Sequence, residues 1–180
     1  MSEPSVPDPS GGRSIPEPGF AGDLGEPDPE VRAALTTYAA DPADPNGHLA
    51  VLAALSRARL LVPVVAILGE VEHDAHGLAR EKTSDMATVL LTGRDGRQAL
   101  LGFTGLESLA AWRPDGRPVP VTACDAARSA LQEGAAALLL DVAGPTPYAV
   151  EGEALQGLAR GWTVVQTASG PAWSEPAPQE

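Results

Sequence analysis

The chain has 180 residues, 43% of them hydrophobic and only 4% aromatic, with 12 Lys and Arg against 24 Asp and Glu for a net charge of -12. That length suits one domain with a core of Leu, Val and Ala rather than rings. The acidic balance, with no basic stripe, argues against partners that present phosphate backbones or anionic lipid headgroups. One cysteine, Cys124, excludes an intramolecular disulfide and fits a reducing, cytoplasmic setting. No basic n-region followed by an apolar h-region opens the chain, so no signal peptide is expected. The longest apolar run, residues 60–68, is too short to span a bilayer and carries Pro63.

Residues 1–27 are Pro, Gly, Ser and acid, too poor in apolar groups to offset the entropy of ordering, and are expected to be a disordered tail. The folded domain is expected over 28–168, followed by a flexible tail over 169–180 in which Trp173 is the one large ring. Asp28 followed by Pro29 predicts a helix start, with Val31, Leu35 and Tyr38 on one face. After the turn at residues 41–47, a second helix is expected to open past Asn46 and bury Leu49, Leu52 and Leu55. Leu60 to Leu68 reads as a strand, and Pro63 places it near a sheet edge. Residues 69–85 read as a long polar loop.

Two strands, Met86–Thr92 and Arg97–Thr104, flank the turn Gly93-Arg-Asp-Gly96 and predict a hairpin. A four-residue loop would pair Thr92 with Arg97, Met86 with Phe103 and Asp85 with Thr104. Thr104-Gly-Leu-Glu107 has the form of a capping box opening a short helix through Leu106 and Leu109. A strand near Val119–Thr122 leads to a helix over Ala123–Glu133, closed by Gly134 in the left-handed conformation. Ala135–Val142 is almost wholly apolar and predicts a central strand covered on both faces. Tyr148–Val150 adds a strand, Glu153–Arg160 a helix ended by Gly161, and residues 162–167 an edge strand. The order α-α-β-β-β-α-β-α-β-β-α makes an α+β domain with a mixed sheet.

The stretch from Lys82 through Thr104, with Leu109-Ala-Ala-Trp-Arg-Pro, Pro118-Val-Pro-Val, Gly134-Ala-Ala-Ala-Leu-Leu-Leu-Asp-Val-Ala-Gly-Pro and Glu151-Gly-Glu-Ala-Leu, resembles the SseB N-terminal domain family, in its actinobacterial form. With the strand at Leu60-Leu-Val-Pro-Val, the resemblance covers roughly residues 28–160. It implies no reaction, cofactor or catalytic residue, because the family's name, enhanced serine sensitivity, records a growth phenotype. It does imply that longer relatives carry a second domain beginning where this chain stops.

Candidate sites are few. Glu70-Val-Glu-His-Asp-Ala-His76 could offer His73 and His76 to a metal ion, but nothing in the segment promises rigid support, and no metal is expected. Asp41, Asp44 and Asn46 miss the calcium-loop spacing and read as turn chemistry. Cys124, after a possible Thr122 cap, lacks a neighbouring base and reads as an inert small hydrophobe. The hairpin register would bring Lys82, Ser84 and Asp85 to the start of the capping-box helix, with Asp85 itself supplying the anion that such an end prefers. Trp112 and Arg113, at the other end of that helix, have the makeup of an interface anchor. No catalytic constellation emerges and no cofactor is expected. The leading expectation is a non-catalytic adaptor for a protein partner through Lys82, Ser84, Asp85, Trp112 and Arg113. A sensor of a small polar metabolite, an amino acid if the family name is a guide, comes second. A metal-assisted hydrolase at His73 and His76 comes third.

Overall fold

The structure, a computed structural model, describes residue 20 and residues 22–67, 85–167 and 170–175. Helix α1 (Pro29–Ala40) begins as expected, with the Asp28 carboxylate accepting from the amides of Glu30 and Val31. Helix α2 (Pro45–Leu55) starts earlier than expected. Asp44, not Asn46, is its cap, because its carboxylate reaches the Asn46 amide at 3.0 Å and Pro45 needs no amide partner.

Strand β1 (Arg59–Ile67) pairs antiparallel with both β2 (Asp85–Thr88) and β5 (Arg117–Thr122), so it is interior and Pro63 does not mark an edge. Its neighbours explain how the ladder tolerates it. Leu61 exchanges both backbone bonds with Phe103, at 2.8 and 2.9 Å. By strand alternation Pro63 therefore turns its missing donor toward that same side. The gap falls between the Leu61–Phe103 bridge and the Val64–Thr88 pair, where β1 changes partners. The expectation fits β5 instead. Pro118 and Pro120, opposite Pro63 and Leu61, both turn away from β1 toward the open side.

Strands β3 (Leu90–Thr92) and β4 (Gln98–Gly102) form the expected hairpin, but in a shifted register. Thr92 pairs with Gln98, since Gly93 donates to the Arg97 carbonyl and Gly96 sits at φ +80°, adding one residue to the loop. Beyond Val89 the strand leaves β4 altogether and pairs as β2 with β1. Met86 consequently lies opposite Ala66, and Asp85 opposite Ile67.

Strand β6 (Ala137–Leu140) lies parallel to β4 and antiparallel to β7 (Tyr148–Glu151), which makes it the central apolar strand expected, although its Leu139 face is only partly covered rather than sealed like the other. The described ladders are a three-stranded sheet, β2, β1, β5, and a four-stranded mixed sheet, β3, β4, β6, β7, tied together where Leu61 of β1 bridges Phe103 just past β4. Helices α4 (Ala123–Gln132) and α5 (Gly152–Ala159) pack with α1 and α2 on one face. Leu100, Leu138, Leu140 and Val150 fill that interface. Helix α3 (Leu106–Trp112) covers part of the other face, over Leu61, Leu101 and Phe103. Thr122 caps α4, accepting from the Asp125 amide, and Gly134 takes the expected left-handed turn at φ +72°.

The described residues reach into both segments expected to be tails. Among the described residues, strand β8 (Thr163–Thr167) pairs only with β9 (Gly170–Ser174), where the Trp173 ring lies flat against Gly157 of α5. A Cβ at Gly157 would stand about 3.2 Å from that ring, so the close approach requires glycine. Residues 22–27, at the other end, lie along the start of α3. The architecture is the expected α+β domain, with no described helix long and apolar enough to cross a membrane.

Candidate functional site

The parallel pair β4 and β6 sends its C-terminal ends in the same direction, toward Thr104 and Asp141. From there β4 runs into α3 on one face of the sheet, while α1 lies on the other. Such a divergence leaves a crevice beyond the strand ends, the favoured place for a ligand in sheets of this kind. A half-open cavity of about 430 Å³ occupies it.

Its floor is built by Asp141, which is only 6% exposed. The Asp141 carboxylate accepts the Thr104 amide on Oδ1 at 2.9 Å and the Thr104 hydroxyl on Oδ2 at 2.7 Å. Thr104 is thus committed to a residue 37 positions away and does not cap α3. The capping box therefore fails: Gly105 holds the cap position and no side chain bonds there. Asp141 sits at φ 49°, the one described non-glycine residue in the left-handed region. A carboxylate side chain tolerates that backbone better than most, at a cost of order 1 kcal/mol. The turn that follows is closed by the Gly144 amide on the Asp141 carbonyl at 2.7 Å.

The walls carry charge of both signs. Arg32, on α1, and Glu107, on α3, both line the cavity and both are exposed. Neither forms an ion pair with any described residue. Ser108 and Thr146 add hydroxyls, and Leu35, Pro27 and Ala111 add apolar surface. The volume falls within the several hundred cubic ångströms usual for small-molecule sites. None of these lining residues is His, Cys or Lys.

The residues singled out from sequence lie elsewhere. Lys82, Ser84, His73 and His76 fall outside the described residues. Asp85 is at the far end of β1 from Leu61, about 20 Å along the strand at 3.3 Å per residue, so the described Asp85 backbone does not approach α3. Trp112 is half-buried, its ring 5.4 Å from Phe103 on one side and under the Arg113 guanidinium at 4.9 Å. Beside it the sheet face stays open at Leu91 and Ala149 and half-covered at Leu139. Cys124 is half-buried, with Arg128 Nη2 at 3.2 Å and the Ala159 carbonyl at 3.5 Å from its sulfur. Asp41 and Asp44 spend carboxylate oxygens on the amides of Ala43 and Asn46, as turn chemistry requires. Among the described residues no cluster of three or more His, Cys, Asp or Glu could hold a metal.

A second polar group lies outside the cavity. The Tyr148 hydroxyl is 2.7 Å from His48 Nδ1, and its ring meets Tyr38 edge-on at 5.0 Å. Burial, reinforced by Tyr38, pushes the Tyr148 phenol well above its ordinary value, so it stays protonated and ties β7 to α2.

Fold and cavity together define an α+β domain with a ligand-sized crevice at the ends of a parallel strand pair. The family model for the SseB protein N-terminal domain matches residues 31–157, and the chain belongs to that family. No curated protein and no solved structure matches the chain significantly.

Proposed function

We propose that this chain is a non-catalytic binding module that holds a small polar metabolite in the cavity beyond β4 and β6. The observation that carries the reading is the pair of opposite charges on its two walls, Arg32 and Glu107, neither with an ion-pair partner among the described residues. A zwitterion such as an amino acid would put its carboxylate against Arg32 and its ammonium toward Glu107, while Leu35 and Ala111 shelter a short side chain. The non-catalytic half of the reading is supported by the floor, where Asp141 and Thr104 spend their polar groups on each other. The net charge of -12 supports a binder that avoids nucleic acid and anionic membranes, and the single cysteine supports a cytoplasmic setting.

A thermal-shift screen of the free amino acids tests this. A ligand at a hundredfold its Kd stabilises by about 2.7 kcal/mol, a shift of several degrees. The shift should vanish in both Arg32→Gln and Glu107→Gln. If no amino acid moves the midpoint, the reading fails.

A second reading, a protein partner, is favoured by one observation: the apolar sheet face left open beside the Phe103–Trp112–Arg113 stack. Rigid aromatic and arginine groups at the border of an apolar patch are what interface energy concentrates on. Truncating Trp112 should then weaken capture of that partner.

A further inference from the structure

One uninterrupted set of polar contacts runs from the N-terminal segment to the cavity floor. Asp23 and Arg59 form a two-pronged ion pair, Nη2 to Oδ1 and Nε to Oδ2, each at 2.5 Å. The same guanidinium donates to the Glu26 carbonyl and, through Nη1, to the Thr104 carbonyl, both at 2.9 Å. Thr104 in turn holds Asp141. Arg59 therefore grips residues 23–26 with one edge and a residue of the cavity wall with the other.

The gripped segment is weakly attached otherwise. Residues 22–27 form neither helix nor strand, and Leu24 is 80% exposed, so no large side chain staples them down. Among the described residues, one backbone bond ties them to the rest of the fold, from the Leu106 amide to the Gly25 carbonyl at 2.8 Å. Packing does the rest: Gly25, at φ +79°, lies so close to Leu106 that a side chain has no room there, and Pro27 lies equally close to Gly105. Pro27 then continues into the cavity wall. Segments fastened by a few polar contacts open locally long before the fold does.

We propose that residues 22–27 are a strap closing one side of the cavity, and that Arg59 is its latch, so that strap opening and occupancy of the cavity are coupled through Thr104. A ligand filling the cavity packs against Pro27 and Thr104, and so favours the closed strap. Loss of the latch frees the strap and widens the mouth. The coupling rests on the reading of the cavity as a ligand site, whereas the opening of the strap is measurable with no ligand present.

Amide exchange on the full chain reads the latch directly, because the Leu106 amide is the bond that the strap protects. In Asp23→Asn, Leu106 exchange should accelerate about tenfold while the amides of β6 keep their rates, the pattern of a local opening. Arg59→Lys, which keeps the charge but loses the fork, should fall between the two. In a Cys124→Ser background, a thiol reagent should label Ser108→Cys in the cavity wall several-fold faster once Asp23→Asn is added. The proposal is overturned by an unchanged Leu106 rate, or by β6 rates rising in step with it. Faster Leu106 exchange with unchanged labelling at position 108 would also overturn it, since the strap would then open without uncovering the cavity. A failed amino-acid screen, by contrast, would leave all three measurements standing and count only against the ligand.

Discussion

The two faces of the four strands β3, β4, β6 and β7 differ in what has been laid on them. On one, Leu100, Leu138, Leu140 and Val150 are sealed under four helices and are fully buried. On the other, Leu101 and Phe103 lie under the single short helix α3, Leu139 is half-covered, and Ala149 and Leu91 meet solvent. The same strands thus carry a face committed to stability and a face only partly used. The cavity lies at their end, where the two coverings part. Residues that serve folding and residues available for recognition are separated by the alternation of the strand itself.

The sharpest way to break this comparison is to cut one leucine from each face. Leu138→Ala should cost about 2–5 kcal/mol, the usual loss on emptying a sealed core site. Leu139→Ala, its immediate neighbour, should cost less, about 1 kcal/mol, because part of its surface already meets water and its site is not sealed. Urea unfolding at constant m-value measures both, and equal losses would mean that the second face is as tightly packed as the first. Thr104→Val should follow at about 1–3 kcal/mol, since it keeps the shape but leaves one oxygen of the buried Asp141 carboxylate without its donor.

The smallest effect sharpens the contrast at the strap. Its hydrogen bond to Arg59 holds the Asp23 carboxyl below its ordinary value of 3.8, outweighing the opposing effect of desolvation. A carboxyl with a lowered native value contributes stability that is present above 3.8 and is lost as the pH falls through that lower native value. Asp23→Asn should therefore cost about 1 kcal/mol or less at neutral pH and nothing in strong acid. Denaturant midpoints of the two proteins that stay equally far apart at all pH values would show that the pair contributes no charge-dependent stability.

What could be read from the sequence was local. Asp28, Thr122 and Gly134 act within a few residues of themselves, so their chemistry shows in the chain and recurs in the fold. The apolar run at Ala137–Leu140 likewise needs no knowledge of its neighbours to predict burial. The misses are non-local. The register of the hairpin slipped by one because the loop takes in Arg97, and β2 then left β4 for a strand 18 to 24 residues earlier in the chain. Thr104 carried a helix-start pattern, yet a carboxylate 37 residues away bonds its hydroxyl and amide instead. The cavity was invisible for the same reason. Its walls come from α1, α3 and the turn after β6, and no local pattern of charges marks Arg32 and Glu107 as facing one space. Trp173 was the one hint that the C-terminal stretch folds, and its partner is a bare glycine, which advertises nothing.

The outward prolines of β5 have a consequence for self-association. Pro118 and Pro120 turn away from β1, where a further strand would need their amides, so that edge cannot donate to an added chain. A chain laid along this edge would meet carbonyls that can accept but no amide at either proline, so strand addition is blocked on the β5 side and any pairing between copies is left to the other sheet edges.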